Sequence, residues 1–320
     1  MNNAVKITAF AAAVAATFGT AYAVGKGVDP VVTDTPARHG DHEAAPNASA
    51  GEGGHGAMPP GGLQVSEGGY TLDLRTPRIE AGRAADLRFV IEGADGRAVT
   101  AFQRSHDKEL HLIVASRDLN TFRHVHPTRA ADGTWSVPVT LPEAGGYRVF
   151  ADFTPDKKNA ENLTLGADLA ASGDFRPQGL PPASATSEVD GYTVSLDGTL
   201  KPGAASELKL NVTKDGKPVT NLDPYLGAYG HLVALRSGDL AYLHVHPNGE
   251  PGDGTTRPGP AISFTATAPS LGTYRLFLDF QHNGTVRTAA FTVHAGQSAT
   301  PTPDETPAEK PEGGDDGHQH

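Results

Sequence analysis

Cysteine is absent from all 320 residues, which removes disulfides, thiolate metal ligands and redox chemistry at sulfur. Methionine is nearly absent as well, Met58 being the one thioether beyond the initiator. Cu(I) sites recruit such soft ligands, so the folded part is not expected to carry a dedicated Cu(I) site. Basic residues are few: 26 Lys and Arg stand against 37 Asp and Glu, for a net charge of −11. A phosphate backbone needs a basic face, so nucleic acid is excluded as a partner, whereas a cationic ligand is easily accommodated. Also missing are sustained helical periodicity, a nucleophile elbow, a phosphate-binding loop, an HExxH helix and a paired-carboxylate pattern. No enzyme is expected on that basis.

What is there in quantity is glycine, 38 residues, and proline, 25, which favour short strands and many turns. Apolar content of 38% can support a core in each of two ordinary domains. Near the start, Lys6 precedes an uncharged run over residues 7–25 in which Ala21-Tyr22-Ala23 fits a signal-peptidase site. Residues 1–25 therefore read as an export signal, either cleaved or kept as a membrane anchor, and the protein as extracytoplasmic. Residues 26–62 are Gly, Ala and Pro rich, carry His39, His42, His55 and Met58, and are expected to be a disordered linker. Alternating runs occupy 63–175 and 191–294, a Pro-rich linker lies at 176–190, and an acidic tail, 295–320, is again expected to be disordered.

The two folded segments repeat one another. HLIVASRDLNTFRHVHP at 111–127 and HLVALRSGDLAYLHVHP at 231–247 lie 120 positions apart, and three of their six identities are histidine. Tyr70 and Asp95-Gly96 recur as Tyr192 and Asp215-Gly216 at an offset near 120, and YRVFADF at 147–153 recurs as YRLFLDF at 274–280. A unit of this size has been duplicated. Each copy holds seven β-rich runs between turn signals; in the first they are 69–75, 85–92, 110–116, 121–126, 134–141, 146–153 and 163–169. That rhythm predicts an all-β protein of two tandem immunoglobulin-like antiparallel sandwiches.

The histidine spacing predicts a site. Centring a hairpin turn on Asp118-Leu119 sets His111 opposite His126, with His124 on the same face two residues earlier. Centring the second on Gly238-Asp239 does the same for His231 and His246, beside His244. Facing Cβ atoms lie about 5 Å apart and same-face neighbours about 7 Å, close enough for ring nitrogens to converge on one ion. His111, His124, His126, His231, His244 and His246 are thus candidate ligands, one three-histidine site per repeat. Neutral imidazole suits Cu(II) or Zn(II). The competing reading is also open: His111 shares its face with Ile113, Ala115 and Phe122, so the histidines can be core residues of a structural or interaction module.

Asp152 and Asp279 sit in mid-strand, where carboxylates are depleted. They either orient an imidazole or pair with Arg148 and Arg275, and the ion pair is the simpler expectation. His106, Glu109 and His282 have no counterpart of their own type in the other copy. The exported N-terminus, the two units and the HL…HVHP and YRVFADF runs together resemble a group of actinobacterial exported proteins labelled heavy-metal-binding. The single unit is similar in outline to YtkA-like sandwich domains. That resemblance implies a β-sandwich and a metal association, and no protein partner beyond it.

Overall fold

In the computed structural model, residues 60–243 and 245–297 are described, the side chain of His246 excepted. They belong to one compact unit and contain no helix. The first repeat supplies β1 (Ser66–Glu67), β2 (Tyr70–Leu74), β3 (Arg78–Glu80), β4 (Ala84–Glu92), β5 (Phe102–Gln103) and β6 (Leu110–Ser116). It continues through β7 (Phe122–Val125), β8 (Thr128–Arg129), β9 (Thr134–Thr140), β10 (Gly145–Pro155) and β11 (Leu163–Ser172). The second supplies β12 (Thr186–Val189), β13 (Tyr192–Asp197), β14 (Ala205–Lys214), β15 (Lys217–Pro218) and β16 (His231–Arg236). It ends with β17 (Tyr242–Leu243), β18 (Val245–Pro247), β19 (Ala261–Thr267), β20 (Gly272–His282) and β21 (Thr285–Ala295).

Each repeat is an immunoglobulin-like sandwich. In the first, a β1-β2-β4-β9-β8 sheet faces a β3-β11-β10-β6-β7 sheet, and in the second β12-β13-β14-β19-β18 faces β17-β16-β20-β21. Pairing within these sheets is antiparallel apart from β3, which runs parallel to β11. The expected runs coincide with the long strands, with one difference: the run over 121–126 is followed at once by a short strand in the other sheet, and its counterpart in the second repeat divides between two sheets. The chain pairs with β6 as β7, then turns a corner and pairs with β9 as β8. In the second repeat β17 pairs with β16 and β18 with β19. Two ends of the expected linkers are also tied down. Gly61 accepts a hydrogen bond from the Tyr242 amide at 3.0 Å, and β12 lies within the Pro-rich 176–190 segment.

Burial divides the strands into two kinds. In β19, AISFTAT, alternate residues are buried, as one covered face requires. In β6, β10 and β20 the runs LHLIVAS, YRVFADF and YRLFLDF are buried on both faces. Leu110, Leu112 and Val114 point into the first sandwich, while Ile113 and Ala115, on the other face, join a separate cluster. That cluster also takes Phe122 and Phe150 from the first repeat and Val233, Leu235, Tyr242 and Phe277 from the second. It is an apolar seam between the repeats. Phe122 stacks on Phe277 at 4.1 Å and 6°, and the equivalent residues with roles exchanged, Tyr242 and Phe150, meet at 5.7 Å. Such pairs contribute about 0.5–1.5 kcal/mol beyond their burial.

Candidate metal centre

The hairpin register is the one that the turn centre dictates. Leu112 faces Val125 and Ile113 faces His124 in the first repeat, and Ala234 faces Leu243 in the second. His111 is the second residue of β6, His124 lies in β7, and His126 stands at the corner where the chain leaves one sheet for the other. Their side chains share the face of Ile113 and Ala115, so the sheet's outer face carries the three rings to the margin of the seam.

The three rings converge. His111 Nδ1 is 3.1 Å from His124 Nε2 and 3.3 Å from His126 Nε2, and one nitrogen from each ring lies within 4.8 Å of the others. Three nitrogens held tetrahedrally about 2.0–2.1 Å from a metal ion are themselves about 3.3 Å apart. The outward nitrogens decide the tautomers, because each meets an atom that only accepts. His111 Nε2–H donates to the Ser105 carbonyl at 3.1 Å, and His124 Nδ1–H donates to Asp279 Oδ2 at 2.8 Å. In the neutral rings that a metal requires, His111 Nδ1 and His124 Nε2 are left as lone pairs pointed at one another. The carboxylate–imidazole arrangement is the one that orients metal-ligating histidines.

Burial holds His111 and His126 neutral. Desolvation, then the neighbouring His124, brings His111 down to about 4. Desolvation, then His124 and His111, brings His126 to about 3. The side chains of His124 and Asp279 are 5% and 4% exposed. A cavity of about 250 Å³ adjoins the cluster and is bounded in part by His106, Asp152, Asn162, His231 and Tyr242.

Of the second triplet, His231 is the one histidine whose side chain is described. It lies with its ring 6.1 Å from both His111 and His124. His244 and the side chain of His246 lie outside the described residues, as do His39, His42, His55, Met58 and the segments expected to be signal and tail. Asp152 and Asp279 face His111 and His231 across their sheets, but neither pairs with Arg148 or Arg275. Arg148 instead binds Asp168 and the Gly62 and Leu63 carbonyls, and Arg275 binds Thr292 and the Leu119 carbonyl. Asp279 accepts from His124 and from Thr288 Oγ1 at 2.6 Å, and Asp152 accepts from Asn162 at 2.6 Å.

Of the residues without counterparts, Glu109 binds Arg129 and His282 is a core hydrogen-bonder beside Tyr192. His106 lies edge-on to His231 at 4.9 Å. Sequence reasoning missed the Ser105 carbonyl and the reach of Asp279 across the seam. The signal for the second was present: a run such as LHLIVAS, apolar on both faces, requires another layer outside its own sandwich.

One family model, described as "Domain of unknown function (DUF8832)", matches residues 64–164 and again residues 187–297. The chain belongs to this family. Its two DUF8832 matches fall one on each sandwich. No curated protein matches the chain. Among solved structures, FdeC, an Escherichia coli adhesin, aligns at 17% identity over 72% of this chain and 65% of its own, with a TM-score of 0.23. A Salmonella alpha-2-macroglobulin aligns at 14% identity over 74% of this chain and 15% of its own, TM-score 0.25. Invasin, a bacterial integrin-binding protein, aligns at 12% identity over 70% of this chain and 39% of its own, TM-score 0.20. The chain thus spans less than two thirds of each.

Proposed function

We propose that this protein is an extracytoplasmic binding module, not a catalyst, in which two DUF8832 sandwiches hold one divalent ion, Cu(II) or Zn(II), at the margin of their seam. The tandem sandwich by itself supports a structural or interaction module. The histidine geometry adds the metal. The observation that carries it is the approach of His111 Nδ1 and His124 Nε2 to 3.1 Å while the outward nitrogen of each ring bonds a protein oxygen, so that in neutral rings both inward nitrogens are acceptors. Two facing acceptors repel, and a cation between them turns that repulsion into bonding. His126 supplies the third nitrogen. Export is supported by residues 1–25, and the metal association by the resemblance of the HL…HVHP runs to heavy-metal-binding exported proteins.

The test uses the full chain without an affinity tag, titrated with Cu(II) and Zn(II) beside a His111→Ala/His124→Ala/His126→Ala variant. Loose binding by histidines elsewhere is common to both. The unchanged chain should bind one more ion tightly, and at 100 times Kd that ion should stabilise the fold by about 2.7 kcal/mol. Equal stoichiometry in the two proteins would remove the metal. It would leave the second reading, in which the histidines only bond the fold, a reading favoured by the protein acceptors that His111, His124 and His231 already have.

A further inference from the structure

We infer that His231, from the second repeat, is the fourth imidazole of the same site, so that the bound ion bridges the two sandwiches. This rests on the three-histidine reading above and goes past it by naming the ligand that completes the ion and what the completed site does.

His231 is built into its repeat as His111 is built into the other. Each lies at the start of its strand, second in β6 for His111 and first in β16 for His231, and each faces a strand aspartate, Asp279 for His231 and Asp152 for His111. Each donates Nε2–H to the carbonyl six residues earlier, Tyr225 at 3.0 Å and Ser105 at 3.1 Å. Those carbonyls are aimed by tight turns with positive φ at both central residues, Leu226 (53°) with Gly227 (71°) and His106 (51°) with Asp107 (62°). The tautomer is therefore the same in both, and Nδ1 is the free lone pair of His231 as it is of His111. Among the described residues nothing else bonds that Nδ1.

Distance selects the same ring. Imidazoles on one tetrahedral ion have ring centres about 5.2 Å apart, given metal–nitrogen bonds of about 2.0–2.1 Å. His111, His124 and His126 already meet this, at 5.3, 5.1 and 4.8 Å. His231 stands 6.1 Å from both His111 and His124, so an approach of about 1 Å brings it in. His106 is exposed and lies 6.2 Å from His111 and edge-on to His231 at 4.9 Å. His231 is only 9% exposed, and its own strand partner Asp279 already holds His124. The second repeat thus supplies both a ligand and the group that orients a ligand of the first.

One equivalent of Cu(II) on the full chain, read by electron paramagnetic resonance, tests this with His231→Gln, His231→Ala and His124→Ala. Glutamine keeps an N–H for the Tyr225 carbonyl and removes the imidazole, so it guards against a variant that fails to fold. The expected result is one fewer coordinating nitrogen in both His231 variants and affinity reduced at least about tenfold, the low end of what even an outer hydrogen-bonding partner contributes. His124→Ala should lose the site. An unchanged spectrum and affinity in His231→Gln, with the site lost in His124→Ala, would overturn the fourth ligand and leave the three-histidine site standing. No change in either would overturn both.

Discussion

At the residue scale, the seam's histidines make stability depend on pH in a direction that can be stated beforehand. An unfolded histidine has a pKa of about 6.5, whereas burial holds His111 at about 4 and His126 and His231 at about 3 in the native protein. Below the unfolded value the unfolded chain takes up protons that the native one refuses, so stability falls as pH drops. The loss should run from about pH 6.5 to about pH 3, levelling off as the native rings themselves protonate. Thermal melts in chelator across that window measure it, and a flat or inverted profile would contradict the buried, neutral cluster. Metal deepens the effect, because ligating imidazoles must be deprotonated. Asp279→Asn tests the orienting carboxylate separately. Its shape is nearly kept and its charge is lost, so metal affinity should drop about 10- to 100-fold in competition titrations. Unchanged affinity would reduce the His124–Asp279 contact to packing.

At the scale of strands and turns, much of the site was legible in advance. Turn centres at Asp118-Leu119 and Gly238-Asp239 carry the observed registers, and period-two alternation placed His111, His124 and Ile113 on one face. What a strand pattern cannot state is which surface covers that face. His124 and Asp279 are 155 positions apart, on hairpins that have no local relation, and the corner that turns β7 into β8 at His126 depends on a second sheet. The glycines entering the first repeat make contacts that composition does not state, for a related reason. Composition made residues 26–62 a linker, yet Gly62 has φ of +75°, and a Cβ there would come within 2.4 Å of the Phe150 ring. Its carbonyl receives Arg148 Nε at 2.7 Å. Gly62→Ala must strain the backbone and displace a fully buried aromatic, so a destabilisation of about 1–3 kcal/mol is expected in denaturant melts. A neutral substitution would show that this segment is not held against Phe150.

At the scale of the whole described body, the question is whether two sandwiches with complete interiors behave as one. Their interior clusters share no residue with the seam, so the seam can be weakened without opening either core. Phe277 is the place to do it: it is 2% exposed, faces Phe122 across the seam, and contributes nothing to the interior of its own sandwich. Truncating a buried phenylalanine costs about 3–5 kcal/mol. In Phe277→Ala that loss should fall on the coupling between the repeats, so the single cooperative transition expected of the unchanged protein should divide into two, read by calorimetry in chelator. An ion held by ligands from both repeats opposes the division, because it binds only while the two sides of the seam are together. Adding Zn(II) to Phe277→Ala should therefore draw the two transitions back toward one. Adding it to Phe277→Ala/His231→Gln should raise the transition of the first sandwich alone. Two transitions in the unchanged protein would show that the seam does not couple the repeats, whatever its histidines bind.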